Sequence, residues 1–209
     1  MNIKTHILRT SKRLEPYINL LEKTTELSIK KVKELLPIDD VDIVLYDTFD
    51  KDTSVDHIYG YTPNAHVVFV YLNPGVKDFE KIVKEDLGKT LAHELHHSVR
   101  WRNPGYGANL LEALVTEGLA EHFAKEVDNS GTEPWTKVLS KNEIQKLLHL
   151  AKENFHKHYN HDEWFFGANG KFLYWTGYSL GYEIVGEYLK NHPQEKASTL
   201  YNASAKLFE

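Results

Sequence analysis

The stretch from residue 87 to residue 99 decides the fold, and it reads Leu-Gly-Lys-Thr-Leu-Ala-His-Glu-Leu-His-His-Ser-Val. Every fourth position of this stretch carries a large apolar side chain, namely Leu87, Leu91, Leu95 and Val99. Such spacing indicates an amphipathic helix that is buried along one side. His93 and His97 are also four residues apart, so they share a different side of the same helix. We therefore predict a core helix that carries two neighbouring histidines.

The segments on both sides of this helix mix strand and helix patterns. The helix itself is expected to run from after Asp78 through Arg100, unless Gly88 divides it. Two β-branched and aromatic runs that precede it are predicted strands, Val41–Asp47 and His66–Leu72. Further helices are predicted at about 14–36, 110–127, 140–158 and 174–189, the third of them opening with a Ser140–Glu143 capping box. The pattern predicts an α+β fold, with a small β-sheet packed on the histidine-bearing helix and a mostly helical C-terminal half.

The length of the chain bears on its domain organisation. Its 209 residues are enough to bury a core without disulfides or a structural metal. No internal repeat, low-complexity tract or convincing linker interrupts the sequence. We predict a single domain over residues 1–209, made of an N-terminal helical segment (1–37), the sheet with the helices of the candidate site (38–127) and a helical C-terminal part (128–209).

The composition argues against several functional classes. Cysteine is absent, so the chain has no disulfide, no cysteine nucleophile and no thiolate metal ligand. A formal net charge of −5 gives no electrostatic reason to expect nucleic acid as a partner. The N-terminus lacks the apolar core of a signal peptide, and no later segment approaches about eighteen uninterrupted apolar residues. We expect a soluble, cytoplasmic protein that binds neither nucleic acid nor membranes.

Residues 93–97 contain the pattern His-Glu-x-x-His, which points to metal chemistry. Two imidazoles on one helical face can bind one ion, and neutral imidazole suits Zn²⁺. A catalytic zinc ion takes three protein ligands and keeps one position open, so a third ligand must come from elsewhere. Glu94 lies beside the pair, and the pattern predicts it to be the general base that acts on the zinc-bound water. His96 is a less favoured alternative to His97, because the pattern pairs histidines four residues apart.

These residues resemble the gluzincins, thermolysin-like zinc metallopeptidases in which a glutamate on a second helix completes the zinc site. Glu117 stands twenty residues after His97, and the run Thr116-Glu-Gly-Leu-Ala-Glu121 is similar to the second-helix motif of that family. The resemblance implies that Glu117 is the third zinc ligand. It also implies that Glu121 accepts a hydrogen bond from a zinc-bound histidine and so fixes its tautomer.

A narrower resemblance covers more of the chain. Leu91–His97 together with Leu111–Phe123 resembles the YjaZ-like family of predicted Zn-dependent proteases, and the Gly177–Tyr182 segment is similar as well. The likeness runs from about Asp40 to the C-terminus. It implies a zinc-dependent protease and leaves the substrate open.

Three other glutamates remain alternatives to Glu117 as the third ligand: Glu112, Glu121 and Glu126. Carboxylates on helices are usually solvated and bind nothing, so each of these also has a plain structural interpretation. Glu117 is preferred because its spacing matches the family that the histidine motif resembles.

Two tyrosines are candidates for stabilising the oxyanion of the reaction. Tyr178 and Tyr182 lie one turn apart on the predicted 174–189 helix, beside Gly177 and Gly181, which allow close packing of helices. Gluzincins add a tyrosine or histidine donor from a helix beyond the zinc site, so the resemblance implies this role for one phenol, with Tyr178 ahead of Tyr182. Core packing is the alternative for both. Five further aromatic residues could line a cleft, although core packing is the preferred role of each: Trp101, Tyr106, Trp164, Phe165 and Phe166.

These features together predict a zinc metallopeptidase that hydrolyses a peptide or protein substrate. One alternative is a zinc amidase or other small-molecule hydrolase that uses the same residues on a different carbonyl. Another alternative is a non-catalytic zinc module that presents a binding surface. The open coordination position and Glu94 argue against that module, because a structural zinc site needs neither.

Overall fold

The computed structural model describes residues 2–48, 57–128 and 134–209. One four-stranded sheet lies in the first half of the chain, and its strands stand in the order β1-β2-β4-β3. The strands are β1 (Ile3–Ile7), β2 (Val41–Asp47), β3 (Ile58–Asn64) and β4 (Val67–Leu72). β2 pairs in parallel with β1 and with β4, and β3 pairs with β4 in antiparallel fashion. β3 is therefore an edge strand.

Alternation of side chains explains the two central strands. Their inward residues are fully or almost fully buried: Val41, Ile43, Leu45, Val68, Val70 and Leu72. The predicted strands Val41–Asp47 and His66–Leu72 are confirmed as β2 and β4, the latter starting one residue later. The edge strands β1 and β3 were not predicted. β1 carries three exposed residues in five, and β3 contains both Gly60 and Pro63, residues that strand patterns normally exclude.

Two helices pack together in this half of the chain. They are α1 (Ile18–Leu35) and α2 (Phe79–Arg102), and α2 also packs on β3 and β4. The predicted apolar stripe of α2 is confirmed, since Leu87, Leu91 and Leu95 are fully buried. Gly88 does not divide the helix. A Cβ at this position would lie 3.2 Å from Ser28 Oγ of α1, so the glycine allows the two helices to approach closely.

Within residues 103–128 and 134–209, all the regular secondary structure of the second half is helical. Its helices are α3 (Leu110–Asp128), α4 (Lys141–Lys152), α5 (His161–Phe165) and α6 (Thr176–Asn191). The predicted capping box of α4 is confirmed, because Ser140 Oγ accepts from Glu143 N while the Glu143 carboxylate accepts from Ser140 N. α4 ends at Lys152, earlier than the predicted end near His158.

α3 and α6 cross with their backbones in direct contact. A Cβ on Gly118 would lie 2.1 Å from the carbonyl oxygen of Gly181, and a Cβ on Gly181 would lie 2.2 Å from that of Leu114. Only glycine fits at such a crossing. The predicted close packing along the Gly177 and Gly181 stripe is therefore confirmed at Gly181, while Gly177 lies against the ring of Phe165.

The contacts divide the chain into two compact units, one ending at Arg102 and the other beginning at Asn103. The first unit is the sheet with α1 and α2, and the second holds the remaining helices. The predicted mixed fold, with one small sheet and a helical C-terminal half, is confirmed. The single-domain organisation stays a prediction. Within the ranges that the structure describes, none of the helices is long and apolar enough to cross a membrane.

Candidate metal centre

His93 and His97 face each other on α2. Their Nε2 atoms are 2.9 Å apart and their ring centroids 4.5 Å apart, with the rings nearly perpendicular. Two nitrogen ligands held at about 2.0 Å by one tetrahedral zinc ion would be separated by roughly 3.3 Å, close to the observed spacing. The pair is thus arranged as the sequence predicted. His96, the alternative partner, lies fully buried beside His97.

Glu94, the residue that follows His93 on α2, is held against β3. Its side chain is only 6% exposed, and its Oε2 accepts a hydrogen bond of 2.6 Å from Thr62 Oγ1. Burying a carboxylate is costly unless it is hydrogen-bonded, so this contact stabilises Glu94 in one position. Gly60 provides the space, because a Cβ at that position would lie 2.2 Å from Glu94 Cγ.

Two further hydrogen bonds fasten β3 and the turn that follows it to α2. The Trp101 indole nitrogen donates to the carbonyl of Thr62 at 2.8 Å, and Ser98 Oγ donates to the carbonyl of Ala65 at 3.1 Å. Thr62 is therefore anchored through its backbone as well as through its hydroxyl. The position of Glu94 is determined by a strand that is itself fixed to the same helix.

Glu117 lies in the middle of α3 and is 3% exposed. The Tyr106 hydroxyl donates a hydrogen bond to Glu117 Oε1. Burial, and the nearby Glu117 carboxylate, raise the pKa of Tyr106 well above its usual value, so the phenol keeps its proton and acts as a donor. Burial of Tyr159 raises the pKa of its phenol to about 12, and the Glu117 carboxylate adds to this shift.

The other three glutamates on α3 have structural partners of their own. Glu112 Oε2 accepts from the backbone nitrogen of Ala108 at 2.6 Å. Glu126 accepts from the nitrogen and from the hydroxyl of Ser198 at 3.1 Å and 2.6 Å. Glu121 Oε1 accepts from the indole nitrogen of Trp135 at 2.5 Å. Each contact gives the carboxylate a role that needs no metal.

Trp135 is in turn tied to α6. It lies in a short 3-10 helix, Pro134–Lys137, whose carbonyl at Trp135 accepts a hydrogen bond of 2.9 Å from Ser179 Oγ. The same hydroxyl accepts from the nitrogen of Val138 at 3.2 Å. Glu121, which is 4% exposed, is thus oriented by an indole whose backbone is anchored on a neighbouring helix.

The two candidate tyrosines of α6 lie in different surroundings. Tyr178 packs edge-on against Phe165 at 5.2 Å, and it is near enough to Tyr106 to contribute to the raised pKa of that phenol. Tyr182 instead stacks on His122 at 4.1 Å, and the His122 ring nitrogen hydrogen-bonds the carbonyl of Tyr182. Tyr178 is therefore the one that lies near Tyr106, the hydrogen-bond partner of Glu117, and Tyr182 takes part in the packing of α3 on α6.

Four residues that lie against Glu94, Glu117 or Glu121 were not predicted to position a carboxylate. Gly60 and Thr62 belong to an edge strand that was not predicted, although the alternation of Ile58, Gly60 and Thr62 with two tyrosines is a weak strand signal. Tyr106 was considered as a cleft-lining residue, with core packing the preferred role, and Trp135 belongs to none of the sequence motifs. Their contacts with carboxylates depend on chain folding that local periodicity does not describe.

Among the residues that the structure describes, one group of three side chains could hold a metal ion: His93, His97 and Glu117. Two imidazoles and one carboxylate form the donor set of a catalytic zinc centre. A chain without cysteine can offer a metal only nitrogen and oxygen ligands of this kind. The donor chemistry therefore fits zinc. The group contains His97 and not His96.

Comparison with models of protein families supports the same chemistry. Comparison with curated proteins gives no match. A family model described as "Predicted Zn-dependent protease (DUF2268)" matches residues 20–208, which is nearly the whole chain. By that match, the chain belongs to the DUF2268 family of predicted Zn-dependent proteases.

Proposed function

We propose that this protein is a zinc metallopeptidase of the gluzincin type, which hydrolyses peptide bonds in a peptide or protein substrate. His93, His97 and Glu117 are the zinc ligands, and Glu94 is the general base. The family description supports a protease at the coarse level. The proposal adds the ligand set, the base and the reaction mechanism.

One observation carries the proposal: Glu94, which follows His93 in the chain, is buried and held in place by β3. Thr62 bonds Glu94 at 2.6 Å, and Gly60 is small enough to leave room for it. A site that held zinc only for stability would gain nothing from this carboxylate, because its ligands would be closed around the ion. A hydrolytic site needs such a group to accept a proton.

Each residue of the site has a distinct task in the proposed reaction. When bound, the zinc ion would polarise the scissile carbonyl and increase the acidity of a water molecule. Glu94 accepts the proton of the attacking water and then delivers it to the leaving nitrogen. Thr62 keeps the carboxylate of Glu94 in place between these two transfers.

Glu121 is proposed to orient a ligand histidine without binding the metal itself. Ligand histidines usually donate their second N–H to a carboxylate, which fixes the ring and its tautomer. The Trp135 indole occupies Oε1 of Glu121, so the carboxylate is held in one orientation for that task. Glu112 and Glu126 are not proposed as ligands, because both accept backbone hydrogen bonds that hold local structure.

The experiment combines metal analysis with hydrolysis of a peptide mixture. The wild-type chain is expected to bind about one zinc ion, since it has one recognisable ligand set of the catalytic type. Glu94→Gln should retain the zinc and lose hydrolysis, because the base is removed while the ligands stay. Full hydrolysis by this variant would contradict the assigned base.

A matched pair of variants tests the third ligand. Glu117→Ala should weaken zinc binding far more than Glu112→Ala on the same helix, because Glu117 alone is proposed to bind the ion. The opposite ranking would transfer the ligand role to Glu112. Zinc bound with full stoichiometry but without turnover on any peptide or small amide would favour a non-catalytic zinc module instead.

A further inference from the structure

The loop that precedes α3 is fastened to that helix at several points. Ala108 N donates to Glu112 Oε2 at 2.6 Å, and Asn109 Oδ1 accepts from Glu112 N at 3.1 Å. Gly107 adopts a φ of +155°, and a Cβ there would lie 2.8 Å from the backbone nitrogen of Ala113. The loop backbone therefore lies directly on the first turns of α3, in a conformation that glycine permits.

Tyr106 is the residue of this loop that reaches furthest along α3. Its carbonyl accepts a hydrogen bond of 2.7 Å from Thr116 Oγ1, and its hydroxyl donates to Glu117 Oε1. Two consecutive helix residues thus hold one tyrosine at both ends. Because Thr116 is fully buried and Glu117 is 3% exposed, these contacts are formed away from bulk water, where hydrogen bonds to a carboxylate are strongest.

We propose that Tyr106 is a positioning residue for the zinc ligand Glu117. By holding Oε1, the phenol fixes the orientation in which the carboxylate is presented to the metal. This inference rests on the proposed function, since it assigns a role to a contact of a proposed ligand. Tyr106 itself touches neither zinc nor substrate in this role.

The physical effect is pre-organisation of the carboxylate. A free glutamate samples several rotamers and can bind a metal through one oxygen or through both, and ordering it costs conformational entropy when the ion binds. A carboxylate already held by a phenol has lost that freedom in the folded protein. Partners that orient ligands in this way typically contribute roughly 10- to 100-fold to metal affinity or activity.

The test measures the affinity of the full chain for Zn²⁺ by competition with a chelator. Tyr106→Phe keeps the ring and removes the hydroxyl, and we expect roughly 10- to 100-fold weaker zinc binding by a chain that stays folded. Tyr159→Phe is the control. Tyr159 belongs to the same aromatic neighbourhood, but its hydroxyl hydrogen-bonds His161 at 3.3 Å. The affinity of the Tyr159→Phe variant for zinc should equal that of the wild type.

A double-mutant cycle separates positioning from a general structural role. Because Tyr106 acts through Glu117, Tyr106→Phe should cause no further loss of affinity in a Glu117→Ala background. The visible spectrum of the Co²⁺-substituted chain should also change with Tyr106→Phe and stay the same with Tyr159→Phe. Equal losses of affinity in both backgrounds, or wild-type affinity and spectrum in Tyr106→Phe, would overturn the proposal.

Thr116→Val provides a second variant that loosens the same tyrosine. It removes the hydroxyl that holds the Tyr106 carbonyl, so we expect weaker zinc binding in the wild-type background and no additional loss in Tyr106→Phe. A wild-type chain that binds no zinc would overturn the proposed function, and this inference with it. A wild-type chain that binds zinc tightly while Tyr106→Phe does so equally well overturns the inference alone.

Discussion

Thr62 Oγ1 and Glu94 Oε2 form a hydrogen bond of 2.6 Å that joins the edge strand β3 to the middle of α2. The same hydroxyl lies 3.1 Å from the carbonyl oxygen of Glu94. Both residues are buried, Thr62 at 5% and Glu94 at 6% exposure. The proposed base is thus held by a strand residue that lies outside the His-Glu-x-x-His motif.

Loss of this hydrogen bond should reduce catalysis without removing the metal. Thr62→Val keeps the shape and the strand preference of the residue but leaves the carboxylate without its donor. A hydrogen bond to a charged group is worth about 1.5–3 kcal/mol, so we expect kcat/KM to fall by roughly 10- to 100-fold. Zinc content should be unchanged.

The conservative variant Thr62→Ser serves as the control for that measurement. Serine restores the hydroxyl, so most of the activity should return. Equal activity of the valine variant and the wild type would show that Thr62 does not position the base.

Substitution of Gly60 should displace the same carboxylate by steric contact. A Cβ at Gly60 would lie 2.2 Å from Cγ and 2.5 Å from Oε1 of Glu94. The atoms in the way belong to a side chain that can rotate, so the fold should accommodate Gly60→Ala while Glu94 leaves its position. We expect the Gly60→Ala protein to fold and to bind zinc. Its rate of hydrolysis should fall by as much as that of Thr62→Val, or by more.

Gly88→Ala is the matched control for Gly60→Ala. It adds the same methyl group to α2, six residues before Glu94 in the sequence, where the nearest atom is Ser28 Oγ at 3.2 Å. Alanine favours a helix interior over glycine by up to about 1 kcal/mol, so this variant should keep its activity. Wild-type hydrolysis by Gly60→Ala would mean that Glu94 does not need its observed position.

The parts of the molecule that sequence predicted best are those with local periodicity. The apolar stripe at Leu87, Leu91 and Leu95 defines both the buried side of α2 and, by difference, the side on which His93 and His97 meet. Helical geometry alone brings residues four apart together. The strands β2 and β4 could be predicted equally well, because burial of one face of a strand places an apolar side chain at every second position.

The contacts that hold the carboxylates could not be predicted in the same way. Thr62 and Glu94 are 32 residues apart, and their contact depends on the register of an edge strand that contains Gly60 and Pro63. Tyr106 contacts Glu117 because a loop folds back along α3. The Pro and Gly residues of this loop predict a turn, but they do not predict where the chain goes after it. Glu117 itself was selected by family resemblance, since four glutamates on one helix have no local pattern that distinguishes a ligand.

The surroundings of the two α6 tyrosines predict different kinetic effects. Tyr178 lies towards Tyr106, so it remains the proposed donor to the oxyanion that develops during hydrolysis. Tyr178→Phe should keep zinc and fold and should lower kcat by roughly 10²-fold or more with little change in KM. Tyr182→Phe should leave kcat near the wild-type value, because its ring stacks on His122. A wild-type kcat in Tyr178→Phe would end its proposed catalytic role.

The most direct test of the account is a comparison of the peptide N-termini that wild-type protein and Glu94→Gln generate from one protein mixture, measured by mass spectrometry. Both proteins carry the same zinc ligands and differ in the proposed base alone. We expect a defined set of new N-termini with the wild type, their disappearance when a zinc chelator is added, and none above background with Glu94→Gln. Identical N-termini from both proteins, or chelator-resistant cleavage by the wild type, would contradict it.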